Sequence, residues 1–212
     1  MRSYPLLADV HRVGTRTDQK DRARGVVSVY VLTTLLLARH GETDWNRDHR
    51  WQGHTGPPLN QTGRQQAVDL AREIDAIDAV YSSDAERAYE TALILAERHG
   101  LRVVTDARFR EVNFGHWEGL TRAQINRRFG RAFTKWLSGE ARRPDGGEAD
   151  EEMAERVFAA LAHIFDQHPK ERVLVVTSGG QFAPWRRTCW ESTKHELVIR
   201  SRRFPTARSS NS

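Results

Sequence analysis

The 212-residue chain has a single cysteine, Cys189, so it cannot close an internal disulfide and nothing in it asks for an oxidising compartment. Internal repeats and low-complexity tracts are also missing, which leaves one soluble, cytoplasmic domain as the expected organisation. The apolar stretch 26–38 imitates a signal-peptide hydrophobic region, but it is too short to cross a bilayer. Cleavage after Ala38 would moreover remove the apolar run that leads into His40. No pair of histidines stands at i, i+4 or finger-type spacing beside a carboxylate. His54 and His116 are therefore weak candidates as ligands, and no metal is expected. Aromatic and basic residues do not interleave, so there is no stacking platform for nucleic acid. The net charge of +5 sits at the ends: 1–30 carry six Lys or Arg against three Asp, and 182–212 carry seven against two Glu. That leaves 31–181 at −3, and the basic ends read as solvated tails, with neither a nucleic-acid nor a membrane partner expected.

Against these absences one feature stands out. The apolar run 32–38 is followed at once by Arg39, His40, Gly41, Glu42 and Thr43. A short apolar run ending this way reads as a buried strand that delivers an imidazole and a guanidinium to its exposed carboxyl end. Imidazole is a neutral nucleophile near pH 7, and the planar fork of arginine donates two hydrogen bonds to anionic oxygens. The pair suggests phosphoryl transfer through a phosphohistidine.

The rest of the pattern alternates strands with helices. Apolar residues at three- and four-residue spacing predict helices over 61–74, 85–99 and 150–167, and a mostly polar one over 121–133. Short apolar segments predict strands at 79–82, 102–105 and 172–177, with a loop over 138–147. Short parallel strands need helical crossovers, so the expected fold is α/β: a three-layer α/β/α sandwich around a mostly parallel central sheet. Ligands of such sheets bind beyond the carboxyl ends of the strands, where His40, Ser83 and Ser178 fall.

The run from Arg39 continues through Asp44, Trp45 and Asn46 to Trp51, Gln52, Gly53 and His54, then to Pro58, Leu59, Thr62 and Gly63. Downstream come Tyr81, Ser82, Ser83, Arg87, Ala88 and Thr91, and then Arg110, Glu111, Gly115, Trp117, Glu118 and Gly119. In this order the motifs resemble those of the histidine phosphatase superfamily, the phosphoglycerate mutase-like group that includes alpha-ribazole phosphatase-like enzymes.

The resemblance implies a phosphoglycerate mutase-like fold and a phosphatase needing no cofactor, acting on a small phosphorylated substrate, with a homodimer left open. It implies that His40 is the phosphorylated nucleophile, that Arg39 and Arg87 clamp the phosphate, and that Glu111 is the general acid and later the base. Thr43, Asn46, Gln52 and Gly53 match positions near the pocket. Taken singly, Arg87 would read as a surface ion-pair residue, Glu111 as a solvated carboxylate and Trp117 as core or pocket wall. Ser178 departs from the pattern, occupying the place of a second pocket histidine that donates to phosphoryl oxygens, and this implies reduced activity. The alternatives are a mutase-type isomerase, disfavoured by the compact stretch 111–172, and a catalytically impaired protein that binds phospho-ligands. Residues 1–30 are expected to be a flexible extension or an overcalled start, and 31–181 the domain. Residues 182–212 form a divergent basic segment, in which 197–199 reads as a remnant strand and a frameshift is one explanation.

Overall fold

Six strands form one sheet in this computed structural model: β1 (Leu7–Arg12), β2 (Thr34–Arg39), β3 (Ala79–Ser82), β4 (Val103–Thr105), β5 (Arg172–Thr177) and β6 (Leu197–Arg202). Residues 33–179 are described in full, and 7–12 and 197–202 as backbone strands. The order is β4-β3-β5-β2-β1-β6. The first four in that order run parallel, while β1 lies antiparallel to both β2 and β6. Of the expected extension over 1–30, only β1 falls within the described residues. Pro184, Trp185, Cys189 and Trp190 lie outside them.

The period-2 geometry of β2 sorts its side chains between two cores. Leu35 and Leu37 join Val173, Val175, Met153, Val157, Ala160 and Ile164 on one face of the sheet, beneath helix α5 (Asp150–Gln167). Leu36 and Ala38 join Leu174, Val176, Leu70, Ala88, Ala92 and Leu95 on the other, beneath helices α2 (Gln61–Glu73) and α3 (Glu86–Glu97). Two covered faces make the three layers, and they explain why β2 and β5 read as nearly continuous apolar runs.

Two local features differ from the sequence reading. The stretch after His40 contains a short helix, α1 (Asp44–Arg47), closed by a reciprocal capping box between Thr43 and Asn46. Helix α4 (Arg122–Leu137) runs four residues beyond the expected end at 133. Its extra turn is held by Trp136, whose ring lies 5.4 Å from that of Trp117 in an edge-on arrangement. The same aromatic cluster takes in Trp51, Phe114 and Phe133, and so ties the loop around residue 51 to the segment 114–117. Both of these segments border the site.

Candidate active site

The carboxyl ends of β2, β3 and β5 converge. His40 N–H donates to Thr177 O, and Ser83 N–H donates to Val176 O. With Arg39 in register with Thr177, the next residues, His40 and Ser178, stand at neighbouring strand ends. His40 is only 3% exposed. Its Nδ1 lies 2.7 Å from Gly41 O, an atom that can only accept, so Nδ1 carries the ring proton and Nε2 the lone pair. From the other side the Arg87 Nε–H, which can only donate, lies 3.3 Å from Nε2. Both neighbours demand the same tautomer.

The electrostatics keep this ring neutral. Burial lowers the His40 pKa well below its ordinary value, and the Arg87 and Arg39 guanidiniums push the same way against the opposing Gly41 carbonyl. The result is an uncharged imidazole whose Nε2 lone pair accepts from a guanidinium, and it becomes available for attack on an anionic phosphorus centre once Arg87 Nε turns to the phosphoryl oxygens.

Arg87, read singly as a surface ion-pair residue, is 2% exposed. Its Nη1 donates to Thr55 O at 3.1 Å and its Nη2 to Gly53 O at 2.7 Å. Burial lowers its pKa, opposed by the Glu111 and Glu118 carboxylates. Its half-buried neighbour on the helix, Glu90, pairs instead with Arg64 at 2.6 Å. Gly53 is required beside it, since an added Cβ would lie 1.9 Å from Glu118 Oε1. Gln52 borders the same guanidinium: a Cβ on Gly56 would meet Gln52 Oε1 at 3.0 Å and Arg87 Nη1 at 3.2 Å. The single Thr43 hydroxyl proton lies within reach of Gln52 Oε1 at 3.0 Å and of Asn46 Oδ1 at 3.1 Å, so these three residues form one network behind the pocket.

Glu111 is 7% exposed, and Val112 N–H donates to its Oε1 at 2.9 Å. Arg39 ends β2 beside Gly179, where an added Cβ would approach the Arg39 Nε to 3.0 Å; glycine leaves the guanidinium room to lie across the β5 end. Ser178 is 1% exposed and its Oγ has no hydrogen-bond partner among the described residues. A buried hydroxyl left in this state is unfavourable until something bonds to it. The site thus gathers two guanidiniums, a neutral imidazole, a carboxyl group and an unsatisfied hydroxyl. No group of three metal-ligating side chains occurs among the described residues.

Residues without an assigned role from sequence hold this arrangement. Thr91 accepts from Gly41 N–H at 3.1 Å and donates to Arg87 O at 2.7 Å, bracing the β2 end against α3. Its i, i+4 spacing from Arg87 was the available signal. Glu118 accepts from the backbone N–H groups of His54, Thr55 and Phe114, pinning the loop whose carbonyls hold Arg87. Arg156 and Glu148 lie behind Glu111. The signal there was a guanidinium three residues from Met153, on the apolar face of α5.

Residues 35–187 match the histidine phosphatase superfamily (branch 1). Phosphoglycerate mutase-like protein 4 of Arabidopsis thaliana is 40% identical over 152 residues, covering 69% of this chain and 66% of that protein, just under two thirds of its length. Glucosyl-3-phosphoglycerate phosphatase of Mycobacterium tuberculosis is 36% identical over 159 residues, covering 70% and 71%. The solved structure of the mycobacterial glucosyl-3-phosphoglycerate phosphatase complexed with VO3 superposes with a TM-score of 0.67 at 35% identity, covering 73% of this chain and 78% of that one.

Proposed function

The chain belongs to the histidine phosphatase superfamily, branch 1, as an enzyme of phosphatase type, and on that premise we propose that it hydrolyses a small phosphorylated metabolite through a phosphohistidine at His40. The observation that carries this reading is the doubly fixed tautomer. Gly41 O and Arg87 Nε leave Nε2 as the nitrogen with a lone pair, held neutral between two guanidiniums.

The chemistry follows in two displacements. Nε2 attacks phosphorus as the bond to the leaving oxygen breaks, Arg39 and Arg87 meet the equatorial oxygens, and Glu111 gives its proton to the departing alkoxide. The Glu111 carboxylate then takes a proton from water as its oxygen attacks the phosphohistidine, Nε2 recovers its lone pair, and phosphate leaves. When phosphate binds, Arg87 exchanges some of its bonds to Gly53 O and Thr55 O for bonds to the anion.

Ser178 follows β5 beside His40, and its buried, unpartnered Oγ is a short neutral donor for an occupant of this pocket. Absence of one longer preorganised donor typically costs about 100- to 1000-fold in rate. The same residue motivates a second reading, a protein that binds phosphate esters with little turnover. A comparison of the parent with His40→Ala and Ser178→His on an aryl phosphate and a panel of phosphorylated metabolites decides between them. Turnover in the parent that His40→Ala abolishes and Ser178→His raises supports the phosphatase. Ester binding with turnover no greater than that of His40→Ala supports the binding protein.

A further inference from the structure

We propose that Arg156 and Glu148 are a positioning pair for Glu111, and that they set its competence as proton donor to the leaving group; the inference rests on the phosphatase reading above. Every donor of the Arg156 guanidinium is used. Its Nε donates to Glu148 Oε1 at 2.6 Å, and Nη1 donates to Arg108 O and Arg110 O, each at 2.7 Å. Nη2 donates to Glu111 O at 2.9 Å and to Glu148 Oε2 at 2.8 Å. Five N–H groups thus meet five acceptors, three of them main-chain carbonyls within four consecutive residues that end at Glu111.

Glu148 completes the grip from the far side. Its Oε2 accepts from Asn113 N–H at 3.1 Å, and its own N–H donates to Asn113 O at 2.9 Å. Between Glu111 O, held by Arg156, and Asn113, held by Glu148, lies only Val112, whose N–H donates to Glu111 Oε1. The pair therefore fixes the main chain on both sides of the carboxyl group and aims the amide that holds it. Side-chain exposures of 19% for Arg156 and 14% for Glu148 place the ion pair out of bulk water, where its geometry is held firmly and loss of one partner strands the other. Neither residue touches the reacting atoms in this account. They act through Glu111.

A positioning role of this kind predicts a leaving-group signature that general loss of structure does not. An alkoxide needs a proton as its bond to phosphorus breaks, whereas 2,4-dinitrophenolate departs without one. With the full chain, Arg156→Gln is expected to lower turnover of glycerol 3-phosphate by about 100-fold or more while leaving 2,4-dinitrophenyl phosphate nearly unchanged. Glu148→Gln, which keeps the shape and both Asn113 contacts, is expected to show the same selectivity to a smaller degree and remains testable where Arg156→Gln does not fold. Arg156→Lys does not restore the wild-type ratio, because one ammonium cannot reach three carbonyls and a carboxylate. Glu155→Gln, at an exposed position on α5, serves as the unaffected control. Equal losses on both esters, or no loss on either, overturn the inference. Absence of turnover in the parent on both esters overturns the phosphatase reading instead. Amide exchange then decides the positioning claim alone: in Glu148→Ala, which removes the acceptor of the Asn113 N–H, acceleration at Val112 of about tenfold or more sustains it, and unchanged exchange overturns it.

Discussion

Arg87 Nε donates to His40 Nε2 across 3.3 Å, a contact that requires the imidazole to be neutral, because a protonated ring would place two donors face to face. The nucleophile and the cation that flanks it therefore define each other's state. Burial and two guanidiniums enforce the same outcome.

The first prediction concerns this titration. Ring-proton NMR of the free protein is expected to show no His40 titration near 6.5, with the transition displaced well to the acid side. Inorganic phosphate should move it upward, since a bound dianion offsets the guanidiniums. The linked stability has a definite sign. A base whose folded pKa is depressed binds fewer protons in the folded than in the unfolded state, so its contribution is present above the unfolded value of about 6.5 and is lost as pH falls toward the folded one. A His40 titration at or above 6.5 in the phosphate-free protein contradicts the account.

Arg87→Ala should destabilise as well as inactivate. It leaves Gly53 O, which now accepts at 2.7 Å, buried without its partner, a loss of about 1–3 kcal/mol. Urea unfolding measures it, and an unchanged midpoint would place Arg87 outside the framework of the loop.

Gly41 and Gly63 press their backbones together. A Cβ on Gly41 would lie 2.3 Å from Gly63 O, and one on Gly63 would lie 2.1 Å from Glu42 O. Either change to alanine should cost about 1–3 kcal/mol or more, because backbone rather than a side-chain tip must move. Gly100→Ala, at φ +64 with no atom within 4 Å of an added Cβ, should cost about 1 kcal/mol from backbone conformation alone. Thermal unfolding of the three variants tests the ranking, which reverses if the close approach is not present.

Trp117→Ala removes the centre of the aromatic cluster that joins the loop at Trp51 to α4. Its ring is edge-on to Trp51, Phe133 and Trp136 at 6.1, 5.4 and 5.4 Å. About 3–5 kcal/mol is expected, read by chemical unfolding. A loss below about 1 kcal/mol would mean that the site walls are held by other contacts.

Elements with strong periodicity were legible in the sequence. The strands at 79–82 and 172–177 and the helix at 150–167 lie where the apolar spacing predicts, because each buries a continuous face of the sheet or a full helical stripe. The convergence of His40, Ser83 and Ser178 at strand ends was legible for the same topological reason. What composition could not give was the fixing of charge by main-chain atoms. The tautomer of His40 depends on Gly41 O, the anchoring of Arg87 on Gly53 O and Thr55 O, and the main chain that carries Glu111 on its own carbonyls, which accept from Arg156. Carbonyl acceptors are common to every residue type and leave no mark in sequence. The short helix after Thr43 was missed because four residues are too few for a period, although the Thr43 and Asn46 spacing carried its cap. The last turn of α4 was missed because its anchor, Trp136, packs on rings distant in the chain.

The central claim is a covalent phosphoryl group on one particular nitrogen. Rapid alkaline quench of the parent during turnover of a radiolabelled phosphate ester, followed by peptide mapping and NMR of the labelled histidine, tests it most directly. Acid-labile label is expected on His40, bonded at Nε2 and absent from His40→Ala. Label on another residue, on Nδ1, or undiminished in His40→Ala would contradict it.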